Sequence, residues 1–417
     1  MINRFLFLLI AVMAASLDCE SQEIDSGQDR VIILTDNQLM TQYYALNGNW
    51  EFYPNELIGS KEMVNHLTKS LIKVPSYWTN KSDSQSIQSG TYRIKVKLSD
   101  GQKQSALAIS MPEVYCSYDL WVNGSKLGQN GVVAKTKSGA KPQWKPETYV
   151  FKSESDTLEI IIHLSNFYHH RIGINKPILL GHADLLMQRK HRIETSSTAL
   201  LIGIGCLALA GGIFFLQLKN ISLLFYVLLC LAWILRSTFS NHYQIVQWFP
   251  DINWYFCVRM EYISVYLATL FGSLLVGSLF PRDVNKVFRM FFIIASTCFT
   301  LFTIIASPVL FTEFVQLYVG LSSILLVSII VIIIRAYSES REGAGFLLIT
   351  ALLAVGIFGY VILAYQGLFE LDELIFNIGF LIQFTLTLVT VYIRIHKMKT
   401  TLDYDLMTFD QATKRRE

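Results

Sequence analysis

Cysteine is scarce in this chain: of six, Cys206, Cys230, Cys257 and Cys298 lie in long apolar runs, and with Cys19, after a leader-like segment, removed or modified, Cys116 is alone in the polar part. An internal disulfide is therefore excluded there, and no CxxC or Cys/His spacing supplies the ligands of a zinc site. Also missing are a glycine-rich phosphate loop, a nucleophile beside a base and a recognisable acid–base pair, so neither catalytic residues nor metal ligands nor cofactors are expected. The net charge of +3 is dispersed, which excludes the basic patch that nucleic acid requires.

The chain is rich in apolar length. Its hydrophobic fraction of 52% and mean hydropathy of +0.39 are averages over a polar front and an oily back. Seven runs, at 197–218, 221–239, 255–280, 290–311, 314–334, 344–365 and 371–393, each approach the ~20 residues that cross a ~30 Å hydrocarbon core. Only helices satisfy every backbone amide in lipid within one segment.

Orientation is read from basic residues, which concentrate on the cytoplasmic side. Lys219, the group Arg282, Lys286 and Arg289, the pair Arg335 and Arg341, and the group Arg394, Lys397 and Lys399 come after spans 1, 3, 5 and 7. The alternate loops, 240–254, the turn expected from Pro308 to Glu313, and Gln366 to Glu373, have no Lys or Arg. The C-terminus is thus expected inside. Arg189, Lys190 and Arg192, just before span 1, oppose this reading. A basic Met1–Arg4, an apolar Phe5–Ala15 and the small residues Ala14, Ala15 and Ser16 outweigh them, because they make 1–18 a signal peptide that exports the polar region behind it. Lipidation of Cys19 is the weaker alternative there, since Asp18 and Ser16 fit a lipobox poorly.

The polar front, residues 28–188, reads as all-β. Tyr92, Ile94, Val96 and Leu98 alternate with Arg93, Lys95 and Lys97, the period of a half-buried strand. Tyr118–Val122 alternates too and ends in Asn123-Gly124, the pair that a tight hairpin favours, with Ser125–Leu127 returning. Leu158–Leu164, Ala106–Ser110, Trp50–Tyr53, Tyr149–Lys152 and Ile178–Leu180 complete the strand candidates, with a helical turn or two near Lys61–Ser70. The expected fold is a multidomain membrane protein: an all-β jelly roll or sandwich, then an all-α seven-helix bundle at 197–395 and a short cytoplasmic tail at 396–417.

The series Leu46-Asn47-Gly48-Asn49-Trp50, Val74-Pro75-Ser76-Tyr77-Trp78, Gly90-Thr91-Tyr92-Arg93, Leu120-Trp121-Val122-Asn123-Gly124, Gln129-Asn130-Gly131, Ser165-Asn166-Phe167, Arg171-Ile172-Gly173 and Pro177–Gly181 resembles the galactose-binding-like jelly-roll ectodomain of bacterial seven-transmembrane receptors with diverse intracellular signalling modules. The spans are similar to that family's membrane domain, so the resemblance covers about residues 40–395. It implies a receptor in the bacterial plasma membrane with its β domain outside. It also implies an effector after span 7, such as a kinase or a nucleotide or diguanylate cyclase, which the 22 residues of 396–417 do not hold. Asp405-Leu406-Met407-Thr408 and Lys414-Arg415-Arg416 faintly resemble the opening of a diguanylate cyclase, and a basic juxtamembrane tail gives the same letters.

Three groups of residues are candidates for a site. Alternation sets Asp119, Trp121 and Asn123 on one strand face, where Trp121 stacks on a sugar ring and the polar pair hydrogen-bonds; packing of Trp121 into the core is the rival. His169 and Arg171 suggest anion binding or pH sensing, against an ordinary solvated loop. Arg236, Arg259 and Glu261, near the outer ends of spans 2 and 3, either form a polar cluster beneath the β domain or reach the headgroups. Tyr243, Trp248, Trp254 and Tyr255 on the same side suit an interfacial aromatic belt. The expected partners are membrane lipid, a carbohydrate or other small polar ligand, a cytoplasmic signalling protein and a second copy of the chain. A transporter or channel is the rival function, but the span centres carry almost no charge and show no repeat. A membrane-anchored sugar enzyme lacks a catalytic constellation.

Overall fold

The computed structural model describes residues 31–34, 42–59, 70–78, 87–98, 105–240, 242–341, 344–365 and 372–414. The expected signal peptide, Cys19 and nearly all of the helical turn expected near Lys61–Ser70 lie outside them.

Among the described residues thirteen strands, β1 to β13 in chain order, build the front of the chain. One sheet runs β4 (Ser70–Val74), β3 (Gly48–Pro54), β6 (Ser89–Leu98), β11 (Thr157–Ser165), β8 (Ser117–Val122) and β9 (Ser125–Asn130), with β1 (Val31–Leu34) parallel to the end of β6. A second runs β10 (Glu147–Lys152), β7 (Ala106–Met111), β13 (Leu179–His182) and β2 (Tyr44–Ala45). A two-stranded ribbon joins β5 (Ser76–Tyr77) to β12 (Gly173–Ile174). The expected alternation is present: Tyr92, Ile94, Val96 and Leu98 of β6 and Leu158, Ile160, Ile162 and Leu164 of β11 share one buried core with Leu107, Ile109 and Met111 of β7. Each such side chain contributes roughly 1.5–3 kcal/mol by leaving water, which fixes the register of both sheets. Asn123 and Gly124 take φ of 49° and 78°, the positive values of a tight hairpin between β8 and β9.

Among the described residues the back of the chain has seven long helices: α1 (Ala183–Leu218), α2 (Ile221–Phe239), α3 (Trp254–Leu279), α4 (Lys286–Ile305), α5 (Pro308–Ser338), α6 (Ala344–Tyr365) and α7 (Glu373–Lys414). All but α6 are long and apolar enough over their described residues to cross a membrane, and α6 is a shorter apolar helix over Ala344–Ile357. Asn220, Asn253 and Asn285 cap α2, α3 and α4 by accepting from backbone N–H groups of the first turn. A short helix, Gln244–Trp248, lies between α2 and α3.

Three boundaries differ from expectation. Span 4 does not reach 311: α4 ends at Ile305, and Pro308 opens α5, because proline suits the first helical turn and not an interior. Glu313 therefore lies within α5, not in a turn. The first helix begins at Ala183, inside the polar region assigned to 28–188, since β13 passes directly into it with His182 as N-cap. That start explains the misplaced basic cluster, as Lys190 pairs with Glu147 of β10 and the Arg189 guanidinium lies 5.7 Å from the Tyr43 ring. Finally, α7 runs on as one helix to Lys414, through the residues assigned to the tail.

Candidate functional site

The β domain and the helices meet in a buried aromatic layer. It contains Tyr115, Cys116 and Trp144 from the β domain and Tyr243, Val246, Trp254, Val258, Tyr262 and Phe311 from the helical side. Trp144 is only 1% exposed, in a segment between β9 and β10 that belongs to no strand. Its ring stands 5.0 Å from Tyr115, 5.2 Å from Tyr243 and 5.4 Å from Trp254.

Asn166 shapes the loop after β11. Its Oδ1 accepts from the backbone N–H groups of Tyr168 and His169 at 3.1 and 2.9 Å, and its Nδ2 donates to the carbonyls of His169 and Arg171. The loop so folded presses His169 into the layer, stacked 4.2 Å from Tyr115, with Nε2 3.0 Å from the Tyr262 hydroxyl. The next backbone N–H, of His170, donates to Thr312 Oγ1 of α5 at 3.0 Å. Burial depresses the His169 imidazole to a pKa of about 3, so it is neutral at physiological pH. His169 is thus buried between the domains, which contradicts the solvated loop and leaves neither an exposed anion ligand nor a sensor titrating near neutrality. Arg171 sits over the Tyr77 ring at 5.7 Å.

A polar chain crosses the same junction. Glu113, just past β7, is 5% exposed and accepts from Lys176 Nζ at 2.8 Å and from the Tyr243 hydroxyl at 2.7 Å. That hydroxyl lies 3.4 Å from Glu261 Oε2 of α3. Arg236 of α2 reaches the Glu261 carbonyl at 3.2 Å and its carboxylate at 3.8 Å. Burial alone would raise the Glu113 carboxyl, but the Lys176 charge and the hydrogen bonds from Lys176, Tyr115 and Tyr243 outweigh it and hold the pKa down at about 2. Burial and the Glu113 charge push the Tyr243 phenol well up, so it keeps its proton and donates. Cys116 is an inert thiol, raised well above its usual range by burial.

Of the three charged residues expected to act together near the spans, Arg236 and Glu261 meet and Arg259 does not. Arg259 donates to the carbonyls of Thr303 and Ala306 at the end of α4, which otherwise lack helical partners. The aromatic belt divides similarly: Tyr243 and Trp254 are buried in the junction, and Trp248 and Tyr255 are exposed.

The strand face of Asp119, Trp121 and Asn123 lies elsewhere, on the outer side of the first sheet. Asp119 pairs with Lys126 at 3.0 Å. Trp121 is half-buried against Tyr53, Ile58 and Ile161, a small second cluster rather than the main core. Asn123 is the hairpin's turn residue, and its Oδ1 accepts from Glu159 N–H at 2.8 Å, so its side chain already holds β11. Glu113, Tyr115, Trp144 and Lys176 escaped the sequence reading. The signal available was Trp144 itself, a large apolar ring in Lys141–Pro146 with no strand to bury it.

A β sandwich held to a bundle of apolar, membrane-length helices through a buried junction is the architecture of a two-domain membrane protein. Residues 194–393 match the family described as 7TM diverse intracellular signalling, so the helical part of the chain is a membrane domain of that family. No curated protein matches the sequence. Among solved structures, a β-glucuronidase from an uncultured Clostridium sp. is similar over 33% of this chain and 28% of its own, at 14% identity and a TM-score of 0.27. Ruminococcus gnavus β-glucuronidase gives 11% identity over 33% of this chain and 28% of its own, and a calcium-binding mutant of Bacteroides uniformis β-glucuronidase 2 gives 15% over 33% and 18%, both at a TM-score of 0.27. The chain thus spans less than a third of the length of each.

Proposed function

We propose that this protein is a bacterial plasma-membrane signalling receptor whose exported jelly roll senses a carbohydrate or other small polar ligand and passes the signal through the junction to the seven helices, and from α7 to a cytoplasmic partner. The observation that carries the reading is the Glu113–Tyr243–Glu261–Arg236 chain. It puts buried polar groups of both domains in direct contact, so that a displacement of the β domain disturbs groups on α2 and α3. A buried hydrogen-bonded network has few intermediate arrangements, as a two-state coupling element requires.

The topology is tested by fusions. Alkaline phosphatase joined after Asp251 should be active and after Lys286 inactive, in agreement with the basic loops. The opposite pattern ends the receptor orientation.

The ligand face is tested at Trp121. Because that ring is half-buried in a small cluster, Trp121→Ala should cost about 1–2 kcal/mol, less than the ~3–5 kcal/mol of a tryptophan lost from a core. A sugar stacked on the ring should lose about tenfold in affinity for each 1.4 kcal/mol of contact removed. Glycan-array binding unchanged by Trp121→Ala would remove this face from the reading.

A further inference from the structure

The end of α3 opposite the junction is held from two sides. After Leu279 the chain turns sharply, because the carbonyl of Phe280 accepts from the backbone N–H groups of Asp283 and Val284 at 3.1 and 3.3 Å. Phe280 is buried in one cluster with Ile333 of α5, Leu347 of α6 and Leu388 and Val391 of α7. Asp283, its side chain also buried, lies 3.4 Å from Arg341 beyond α5, which pairs with Glu339 as well. On the other side Arg394 of α7 donates from Nη2 to the Leu279 carbonyl at 2.6 Å, and its guanidinium stands 4.3 Å from the Phe280 ring. The last turn of a helix leaves carbonyls without helical partners and carries the negative end of its dipole, so a guanidinium there is both donor and counter-charge.

The junction grips the other end of the same helix, through Trp254 against Trp144 and Glu261 within reach of Tyr243. Between these ends α3 is one continuous helix of 26 residues, about 39 Å long at ~1.5 Å per residue. We propose, resting on the receptor reading above, that α3 carries a displacement of the β domain along its length and that Arg394 hands it to α7. A shift of α3 by one residue's rise, ~1.5 Å, is enough to carry the Leu279 carbonyl out of hydrogen-bond reach of Arg394. The rival route is α1, which continues from β13 and accepts from Asn377 of α7 at Ser196. That bond lies near the start of α7. Further along, α1 meets α7 through the rings of Phe214 and Tyr392, 4.7 Å apart, and such an apolar contact is non-directional and has no single bond to break.

Hydrogen exchange on the full chain in nanodiscs tests this, with Trp144→Ala as the disturbance at the junction. In the otherwise wild-type chain Trp144→Ala should speed exchange about fivefold at 280–286 and at 394–400, the change that ~1 kcal/mol of local opening free energy gives. Adding Arg394→Gln should leave the response at 280–286 and abolish it at 394–400. Arg394→Lys, which keeps a cation over Phe280 but not the planar guanidinium, should give a smaller response at 394–400 and stands in if Arg394→Gln does not fold. No response at 280–286 or at 394–400 in the otherwise wild-type chain would overturn α3 as the carrier. An undiminished response at 394–400 in either Arg394 variant would overturn Arg394 as the contact and favour α1. Neither failure touches the orientation of the receptor, which the phosphatase fusions read separately.

Discussion

Trp144→Ala should loosen the β domain from the helices and cost about 3–5 kcal/mol, the usual loss for a fully buried tryptophan. The ring touches Tyr115 on its own domain and Tyr243 and Trp254 on the other, so its removal opens a void shared by both. The main sandwich core, which includes Trp50 and Tyr92 and excludes Trp144, should be untouched. Hydrogen exchange on the purified full chain separates the two regions. Protection should fall around 166–171 and 243–258 and persist in β6 and β11. Uniform loss throughout the sandwich would mean that the junction and the β core form one cooperative unit, and the two-domain account would be wrong.

The second large effect is asymmetric. Lys176→Met should cost roughly 3 kcal/mol, because it leaves the buried Glu113 carboxylate without its cation. Glu113→Gln should cost less, about 1 kcal/mol, since the remaining Lys176 is partly exposed and finds water. The same pair predicts acid sensitivity. The folded pKa of Glu113, about 2, lies below the ordinary carboxylate value, so its contribution is present above that ordinary value and lost as pH falls toward about 2. His169 adds to the loss from higher pH, because the unfolded imidazole takes up a proton near pH 6.5 and the buried one resists until about 3. Melting profiles should therefore decline from about pH 6.5 downward in two stages, and Glu113→Gln should remove the lower one. A lower stage that survives in Glu113→Gln would show that other carboxylates account for it.

Local pattern carried much of this fold. Period-two alternation marked β6, β8 and β11, Asn-Gly marked the hairpin, and apolar length marked the seven helices, because each of these is determined by neighbours in sequence. The ends of α4 and α5 were misjudged because hydropathy does not register that Pro308 cannot continue the preceding helix, whose last residue is Ile305. The junction was mostly illegible for a different reason. Glu113 and Glu261 are 148 positions apart and the Tyr243 hydroxyl stands between them, so only the docked domains bring them together. The charges of Arg236 and Glu261 were visible as costly in or beside lipid, but their separation from Arg259 depended on unpaired carbonyls at the end of α4. Trp121 fell between its two expected roles, because the outer sheet face has its own small cluster, which alternation does not disclose.

The uninterrupted passage from β13 into α1 has a consequence for how this chain tolerates change in length. With 3.6 residues per turn, each residue added to the helix between Ala183 and Ser196 turns everything before it by about 100° and raises it by about 1.5 Å. The second connection at the junction, His170 N–H to Thr312, does not turn with it. The two attachments hold the β domain in a single phase relative to the bundle, as two bolts hold a plate. Substitutions on the exposed side of those turns leave that phase alone, whereas a one-residue insertion forces either the helix to bulge or the junction to open.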